Sequence, residues 1–211
     1  MGIVKHQHLT ENISYLVWAI EESEEELLPF LENTDCNFEH IKNQKVRLES
    51  IAARVALQHL LEDSPVEFKG IKKEESGKPS LLHDEYGISL SHSKGFAAAI
   101  IDRSKKNVGI DIENIHPKVL RLIPRFANEE ELAFAQNTEE NPSNATQIWT
   151  IKEAVYKAFG KLNIEFKSQI KTEFHHSVPH TVKIKEIDKE FVEFKLKLEE
   201  LQTIKIAIAY S

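Results

Sequence analysis

Two carboxylates stand two residues apart in the segment Val108–Glu113, which reads VGIDIE. Residues two apart in a strand point to the same side, so this segment directs Asp111 and Glu113 to one face and Ile110 and Ile112 to the core. Adjacent carboxylates repel each other, and a hard divalent cation with oxygen ligands relieves that repulsion. A solvated strand face paired with lysines is the alternative, because the D-x-E pattern is common by itself.

A second pattern, WTIKEAVYK, occupies Trp149–Lys157 and has the apolar spacing of a helix. Glu153 and Lys157 are four residues apart and share a helix face, where an ordinary surface salt bridge is one interpretation. If this helix packs against the D-x-E strand, Glu153 adds a third carboxylate to Asp111 and Glu113, and Lys157 adds a cation. Three carboxylates and a lysine are typical of a site where Mg²⁺ holds a phosphate group.

Two polar turns carry further groups that suit a phosphate. The segment Ser89–Ser93 reads SLSHS, and its hydroxyls and the imidazole of His92 can donate hydrogen bonds to phosphate oxygens. The turn Gly77-Lys78-Pro79 offers a lysine for the same purpose. Taken singly, both segments are equally compatible with ordinary polar turns.

The bulk composition limits the function classes. The chain of 211 residues has a formal net charge of −7, which argues against a protein that coats nucleic acid. Cys36 is the only cysteine, so neither an intrachain disulfide nor a multi-thiolate zinc site can form. The apolar segment Ile13–Ile20 is too short for a membrane span of roughly 20 residues and indicates a core strand. We therefore expect a cytoplasmic protein without nucleic-acid or membrane partners.

The remaining pattern predicts the elements that position these groups. Long helices are expected at Asn43–Leu61 and at Ala145–Phe159, the second ending at Gly160. Further predictions are a helix at Pro117–Phe126, a capped helix after Asn128 and a surface loop at Asn137–Asn144. Strands are expected at Gly87–Ser91, Phe96–Ile101 and Val108–Ile112, and the remainder, Ile164–Tyr210, is expected to be rich in strands. Each half thus has helices followed by hairpins, which favours two similar α+β subdomains, residues 1–104 and 105–211. His175, His176 and His180 are interpreted as a solvated loop in preference to a zinc site.

In their order along the chain, G-K-P, S-x-S-H-S, G-I-D-I-E and W-x-x-K-E-A-x-x-K resemble the 4′-phosphopantetheinyl transferase superfamily. The length resembles that of the surfactin-synthetase-type, pseudo-dimeric branch, and the resemblance covers roughly residues 46–161. It implies a monomer of two α+β subdomains related by pseudo-twofold symmetry, with the active site at their interface. It also implies Mg²⁺-dependent transfer of the 4′-phosphopantetheine arm of coenzyme A to a serine of an apo-carrier protein, giving holo-carrier protein and 3′,5′-ADP.

The resemblance assigns roles to matching residues. Asp111, Glu113 and Glu153 match metal ligands, Glu153 also matches the group that helps to deprotonate the acceptor serine, and Lys157 matches the lysine on the pyrophosphate. Contacts to coenzyme A are implied for a set of cationic and polar residues: Lys45, Arg47, Arg54, Lys78, Pro79, Ser91, His92 and Lys157. Which of Lys45 and Arg47 meets the 3′-phosphate stays open. Arg125-Phe126 and Glu129–Glu131 resemble a segment near the carrier docking surface, for which Arg121 and Arg125 are candidates.

Two other functions suit parts of this pattern. Three carboxylates and a lysine also fit a metal-dependent nuclease or other phosphodiesterase, although the acidic balance of the chain argues against it. A module that binds coenzyme A or a carrier protein without turnover is the non-enzymatic alternative. The full set of Asp111, Glu113, Glu153 and Lys157 favours an enzyme over such a module.

Overall fold

The computed structural model describes residues 2–136 and 141–211 of the chain. Backbone contacts divide the chain into two compact units, an N-terminal unit that ends at Asn107 and a C-terminal unit that begins at Val108. Each unit combines a long helix with an antiparallel sheet, so the predicted α+β class is confirmed. The pseudo-twofold relation between the two units stays a prediction.

The N-terminal unit is built on a sheet with the strand order β1-β2-β6-β5 and has a separate hairpin of β3 and β4. Its strands and helices are β1 (Ile3–His8), β2 (Ile13–Ala19), α1 (Glu24–Leu27), α2 (Gln44–Leu61), β3 (Ile71–Lys73), β4 (Pro79–Leu81), β5 (Gly87–Ser93) and β6 (Phe96–Asp102), with a 3₁₀ turn at Leu28–Leu31.

The core of the N-terminal unit lies between its sheet and α2. Strand β2 reads ISYLVWA, and these β-branched and aromatic residues favour a buried strand. Helix α2 begins after Asn43, whose side chain accepts a hydrogen bond from the backbone N–H of Val46 at 3.2 Å. Such a cap satisfies a backbone donor that the first helical turn leaves without a partner. The predicted strand at Ile13–Ile20 and helix at Asn43–Leu61 are therefore confirmed to within one residue.

The C-terminal unit is built on a sheet with the strand order β7-β11-β10-β9-β8. Its strands and helices are β7 (Val108–Asn114), α3 (Val119–Leu122), α4 (Glu129–Gln136), α5 (Asn141–Phe159), α6 (Phe166–Gln169), β8 (Ile170–His175), β9 (Val178–Ile184), β10 (Val192–Leu201) and β11 (Ile204–Tyr210). Within residues 2–136 and 141–211, no helix is both long enough and apolar enough to cross a membrane.

Helix α5 packs closely on the face of β7 and β11. Gly109 permits this approach, because a Cβ atom at this position would lie only 2.0 Å from the carbonyl oxygen of Ala154. The helix ends at Phe159, and Gly160 follows with a φ of +64°. A glycine adopts this left-handed conformation at no steric cost, which confirms the predicted helix stop.

Two predicted segments of the C-terminal unit differ in the structure. The helix expected at Pro117–Phe126 is instead the single turn α3 followed by a 3₁₀ turn at Ile123–Arg125, because Pro124 lacks the N–H that a continuous α-helix needs. The loop expected at Asn137–Asn144 is wrong for residues 141–144, which form the first turn of α5. Residues 137–140 of that predicted loop lie outside the described residues.

The prediction for the histidine-rich segment, residues 175–180, is also wrong, because the segment forms a hairpin and not a loop. His175 ends β8, His180 lies in β9, and His176 and Ser177 form the turn with φ values of +50° and +61°. A two-residue turn of this kind favours glycine or asparagine. Neither residue is present here, so the sequence carried no hairpin signal.

Candidate active site

Asp111 and Glu113 lie on the face of β7 that α5 covers. The close approach of Gly109 to α5 identifies this face, since residues 109, 111 and 113 point to the same side of the strand. Asp111 is only 4% exposed, and Ile110 and Ile112 on the opposite side are fully buried. The predicted common face is confirmed. Of the alternative, a solvated face paired with lysines, the structure shows the lysine pairing of Asp111 but not its solvation, because α5 covers it.

One stripe of α5 meets these carboxylates, because Trp149, Glu153 and Lys157 follow each other at intervals of four residues. Lys157 Nζ donates to Asp111 Oδ1 at 2.7 Å and to the carbonyl oxygen of Ile110 at 3.2 Å. Trp149 Nε1–H points at Glu113 Oε1 at 3.4 Å. Strand and helix thus bring a lysine and an indole to the two strand carboxylates.

Glu153 lies between these contacts on the helix stripe. Burial raises the pKa of Glu153 to about 7, and the negative charges of Asp111 and Glu113 act in the same direction. The positive charge of Lys157 acts in the opposite direction on the same pKa. The three predicted carboxylates are therefore near enough to repel each other, and the single ammonium group does not balance them.

This donor set fits a divalent cation in its chemistry, because hard cations such as Mg²⁺ prefer carboxylate oxygens. As they stand, residues 2–136 and 141–211 contain no group of three His, Cys, Asp or Glu side chains that could hold a metal ion. The cation beside Asp111 is instead the ammonium group of Lys157. The metal-ligand roles of Asp111, Glu113 and Glu153 stay predictions.

A buried ion pair fixes α5 on its other side. Lys152 and Glu131 are both 0% exposed, and Lys152 Nζ lies 2.7 Å from Glu131 Oε2. Lys152 Nζ also donates to the carbonyl oxygens of Phe166 and Ile170, each at 2.8 Å. All three ammonium protons thus have acceptors, as a buried charge requires.

Glu131 is equally well satisfied, because its carboxylate also accepts hydrogen bonds from two backbone N–H groups. These come from Asn128 at 2.8 Å and from Thr172 at 2.9 Å, while the Asn128 side chain accepts from the N–H of Glu131 at 2.9 Å. The predicted cap of α4 by Asn128 is confirmed. Glu131 is fully buried, so it anchors α4 and α5 within the unit, and the expectation that its segment lies near a docking surface stays a prediction.

An open cavity of about 430 Å³ adjoins Glu113 within the C-terminal unit. Its lining combines apolar and polar side chains from β7, the segment that follows it and α5: Glu113, Asn114, His116, Val119, Leu122, Arg125, Phe126, Thr146 and Trp149. Leu120 and Leu122 on α3 are 38% and 47% exposed, and Arg121 and Arg125 are exposed beside them. We call these four residues the α3 surface.

In the N-terminal unit, the arginines predicted to meet coenzyme A already have partners. Arg47 Nε donates to both carboxylate oxygens of Glu24, at 3.0 and 2.9 Å. Arg54 donates to the carbonyl oxygen and the hydroxyl of Ser50, its guanidinium lies 5.2 Å from the ring centre of Phe38, and burial lowers its pKa. Lys45 is exposed on α2, so these contacts do not decide between Lys45 and Arg47.

The other predicted phosphate ligands lie on the hairpins of the N-terminal unit. Lys78 Nζ donates to Asn107 Oδ1 at 3.0 Å, and Pro79 begins β4. Ser91 is 6% exposed on β5, and His92 follows it with its Nδ1 atom 3.0 Å from Glu49 Oε2. The roles of these residues toward coenzyme A stay predictions.

Gly109, Trp149 and Lys152 lie within the sequence motifs, but the motifs alone did not predict the contacts that these residues make. The spacing of Trp149 from Glu153 was an available signal, because four residues place both on one helix face. The burial of Lys152 had no such signal, since its partner Glu131 belongs to another helix.

Comparison with known proteins supports the resemblance drawn from the motifs. Residues 107–209 match the profile of the 4′-phosphopantetheinyl transferase superfamily. The match spans β7, α5 and β11, so it contains Asp111, Glu113, Glu153 and Lys157. The resemblance drawn from the motifs is confirmed.

Named relatives agree with this family. The chain is 36% identical over 92 residues to the 4′-phosphopantetheinyl transferase gsp of Aneurinibacillus migulanus, which covers 43% of this chain and 38% of that protein. It is 30% identical over 118 residues to the 4′-phosphopantetheinyl transferase psf-1 of Bacillus pumilus, covering 53% and 50%. The chain spans about half or less of the length of these curated relatives.

Among solved structures, the holo-[acyl-carrier-protein] synthase of Thermotoga maritima matches 49% of this chain and 61% of that chain, with 19% identity and a TM-score of 0.42.

Proposed function

We propose that this phosphopantetheinyl transferase homologue transfers the 4′-phosphopantetheine arm of coenzyme A to a serine of an apo-carrier protein. The observation that carries the proposal is the seating of α5 on the carboxylate face of β7. This seating brings Lys157 to 2.7 Å from Asp111 and exposes Glu153 to the charges of Asp111 and Glu113. The names of the curated relatives support the same activity.

In this reaction the serine hydroxyl attacks the β-phosphorus of coenzyme A, and the bond from that phosphorus to the bridging oxygen breaks to release 3′,5′-ADP. A serine hydroxyl is a weak nucleophile at neutral pH and needs a base. Glu153 takes the serine proton, directly or through water.

Charge that develops on the phosphoryl oxygens requires cationic groups nearby. Lys157 provides one of them: it exchanges its contact with Asp111 for an oxygen of the pyrophosphate and assists departure of 3′,5′-ADP. Asp111, Glu113 and Glu153 would hold Mg²⁺, which when bound supplies further positive charge to the same oxygens. His92, Ser91, Lys78 and Pro79 would hold the nucleotide, together with Arg54 and either Lys45 or Arg47.

We further propose that the carrier protein docks on the α3 surface. Arg121 and Arg125 offer positive charge to an acidic partner, and the exposed Leu120 and Leu122 offer apolar contact. The cavity beside this surface is lined by Arg125 and reaches Glu113, which would bring a docked serine toward the carboxylates. Electrostatic complementarity of this kind mainly sets association rate and partner choice.

The test is to incubate the protein with coenzyme A, Mg²⁺ and a panel of apo-carrier proteins and to measure the intact masses of the carriers. We expect at least one carrier to gain the mass of the phosphopantetheine arm. Glu153→Gln should abolish this gain, whereas Glu190→Gln, at an exposed glutamate between β9 and β10 of the same unit, should retain it.

Failure of every carrier to gain mass, while coenzyme A still binds, would contradict the transferase proposal and favour the binding-module alternative. Cleavage of a phosphodiester substrate by the wild-type protein in the absence of coenzyme A, lost in Glu153→Gln, would favour the phosphodiesterase alternative instead.

A further inference from the structure

Glu49 on α2 contacts two parts of the β5–β6 hairpin in the N-terminal unit. Its Oε2 atom lies 3.0 Å from Nδ1 of His92, and its Oε1 atom accepts a hydrogen bond from the backbone N–H of Gly95 at 3.2 Å. The side chain of Glu49 is 12% exposed, whereas that of His92 is 35% exposed. One largely buried carboxylate thus ties both a turn amide and an imidazole to the helix.

The contact with Glu49 determines how His92 can act. A carboxylate at Nδ1 accepts a hydrogen bond from Nδ1–H, which orients the ring and leaves Nε2 as the ring nitrogen that meets a ligand. The same carboxylate holds the turn, so the backbone that carries His92 and its ring are fixed together.

The hairpin requires such support, because Lys94 and Gly95 form a tight turn with φ values of +38° and +89°. A lysine in the left-handed region is unfavourable, so a hydrogen bond to the adjacent N–H helps to maintain the turn. His92 stands at the end of β5 opposite Ala97, directly beside this turn. A shift of the turn would therefore move the imidazole.

We propose that Glu49 is a positioning residue for His92: by holding Nδ1 and the adjacent turn, it orients the imidazole so that Nε2 meets a phosphate oxygen of coenzyme A. This inference rests on the proposed function, because it takes coenzyme A as the ligand of His92. Glu49 itself does not touch the substrate and acts only through the ring.

The test is a double-mutant cycle on coenzyme A binding, measured by isothermal titration calorimetry with the full chain at a temperature where every variant is folded by circular dichroism. Glu49→Gln should weaken binding about tenfold, the lower end of the loss seen when the group behind a ligating histidine is removed from a metal site. In a His92→Ala background the same substitution should change binding less than about twofold, because its only route of action is gone. Glu62→Gln is the matched control, since it removes the carboxylate 2.7 Å from Nδ1 of His59 at the end of α2.

The outcomes separate this inference from the proposed function. An equal loss from Glu49→Gln in both backgrounds would overturn it, because Glu49 would then act on the fold and not through His92. Unchanged binding in Glu49→Gln, or in His92→Ala, would overturn it as well. A strong coupling between the two residues without arm transfer to any carrier would support the inference while contradicting the proposed function.

Discussion

Replacement of Gly109 by alanine provides a direct test of how the carboxylates of the candidate active site are positioned. The added Cβ atom would lie 2.0 Å from the carbonyl oxygen of Ala154 and 2.6 Å from the backbone nitrogen of Ala158. Ordinary contact begins at 3.4 Å, so strand and helix must separate by about 1.4 Å at this point. Both opposing atoms belong to the backbone of α5 and cannot rotate away.

This separation predicts two effects of different size. Overpacking of a close contact should lower the free energy of unfolding by about 1–3 kcal/mol. Arm transfer should fall by about 100-fold, because a displacement of about 1 Å is enough to spoil the alignment of reacting groups. The 2.7 Å contact between Lys157 and Asp111 crosses the same strand–helix interface and should lengthen with it.

The assay combines urea unfolding with single-turnover arm transfer, measured under conditions where the variant is folded. Gly87→Ala is the matched control, because its Cβ would meet the carbonyl oxygen of Lys106 at the same 2.0 Å within the N-terminal unit. We expect a comparable loss of stability in the control with a much smaller loss of transfer. Wild-type transfer in folded Gly109→Ala would refute the claim that this close contact aligns the site.

Three further predictions concern charged groups. In the metal-free protein, Glu153 binds its proton more tightly in the folded state than in the unfolded state, so its contribution to stability falls as pH rises from about 4.5 to about 7. Urea unfolding of the wild-type protein in the presence of a chelator should show this fall in the free energy of unfolding. The Glu153→Gln variant should show a smaller fall. The Lys152→Met variant leaves the buried charge of Glu131 without its lysine partner, so its free energy of unfolding in urea should fall by about 3–5 kcal/mol. Adding Glu131→Gln to this variant should restore much of that loss. Arg125→Glu should raise the KM for the carrier protein while leaving coenzyme A binding intact, and equal steady-state kinetics in both proteins would contradict docking on the α3 surface.

The sequence by itself was sufficient to predict the elements that carry the site, because periodicity acts within a single strand or helix. Alternation in VGIDIE places Asp111 and Glu113 on one side, and the spacing along α5 places Glu153 and Lys157 on one side. The motif order was likewise enough to predict the superfamily. None of these inferences needs a contact between distant parts of the chain.

Only the tertiary structure decided which partners these groups have. The ammonium group of Lys157 bonds to Asp111 across the strand–helix interface, although sequence spacing had paired it with Glu153. Lys152 and Glu131 meet inside the C-terminal unit, and Glu49 supports a histidine 43 residues away. Such pairs follow from how helices pack on sheets, and no local repeat in the sequence records that packing. Local residue order thus determines which side chains share a face, whereas burial against another element determines what each of them contacts and how strongly its charge is felt.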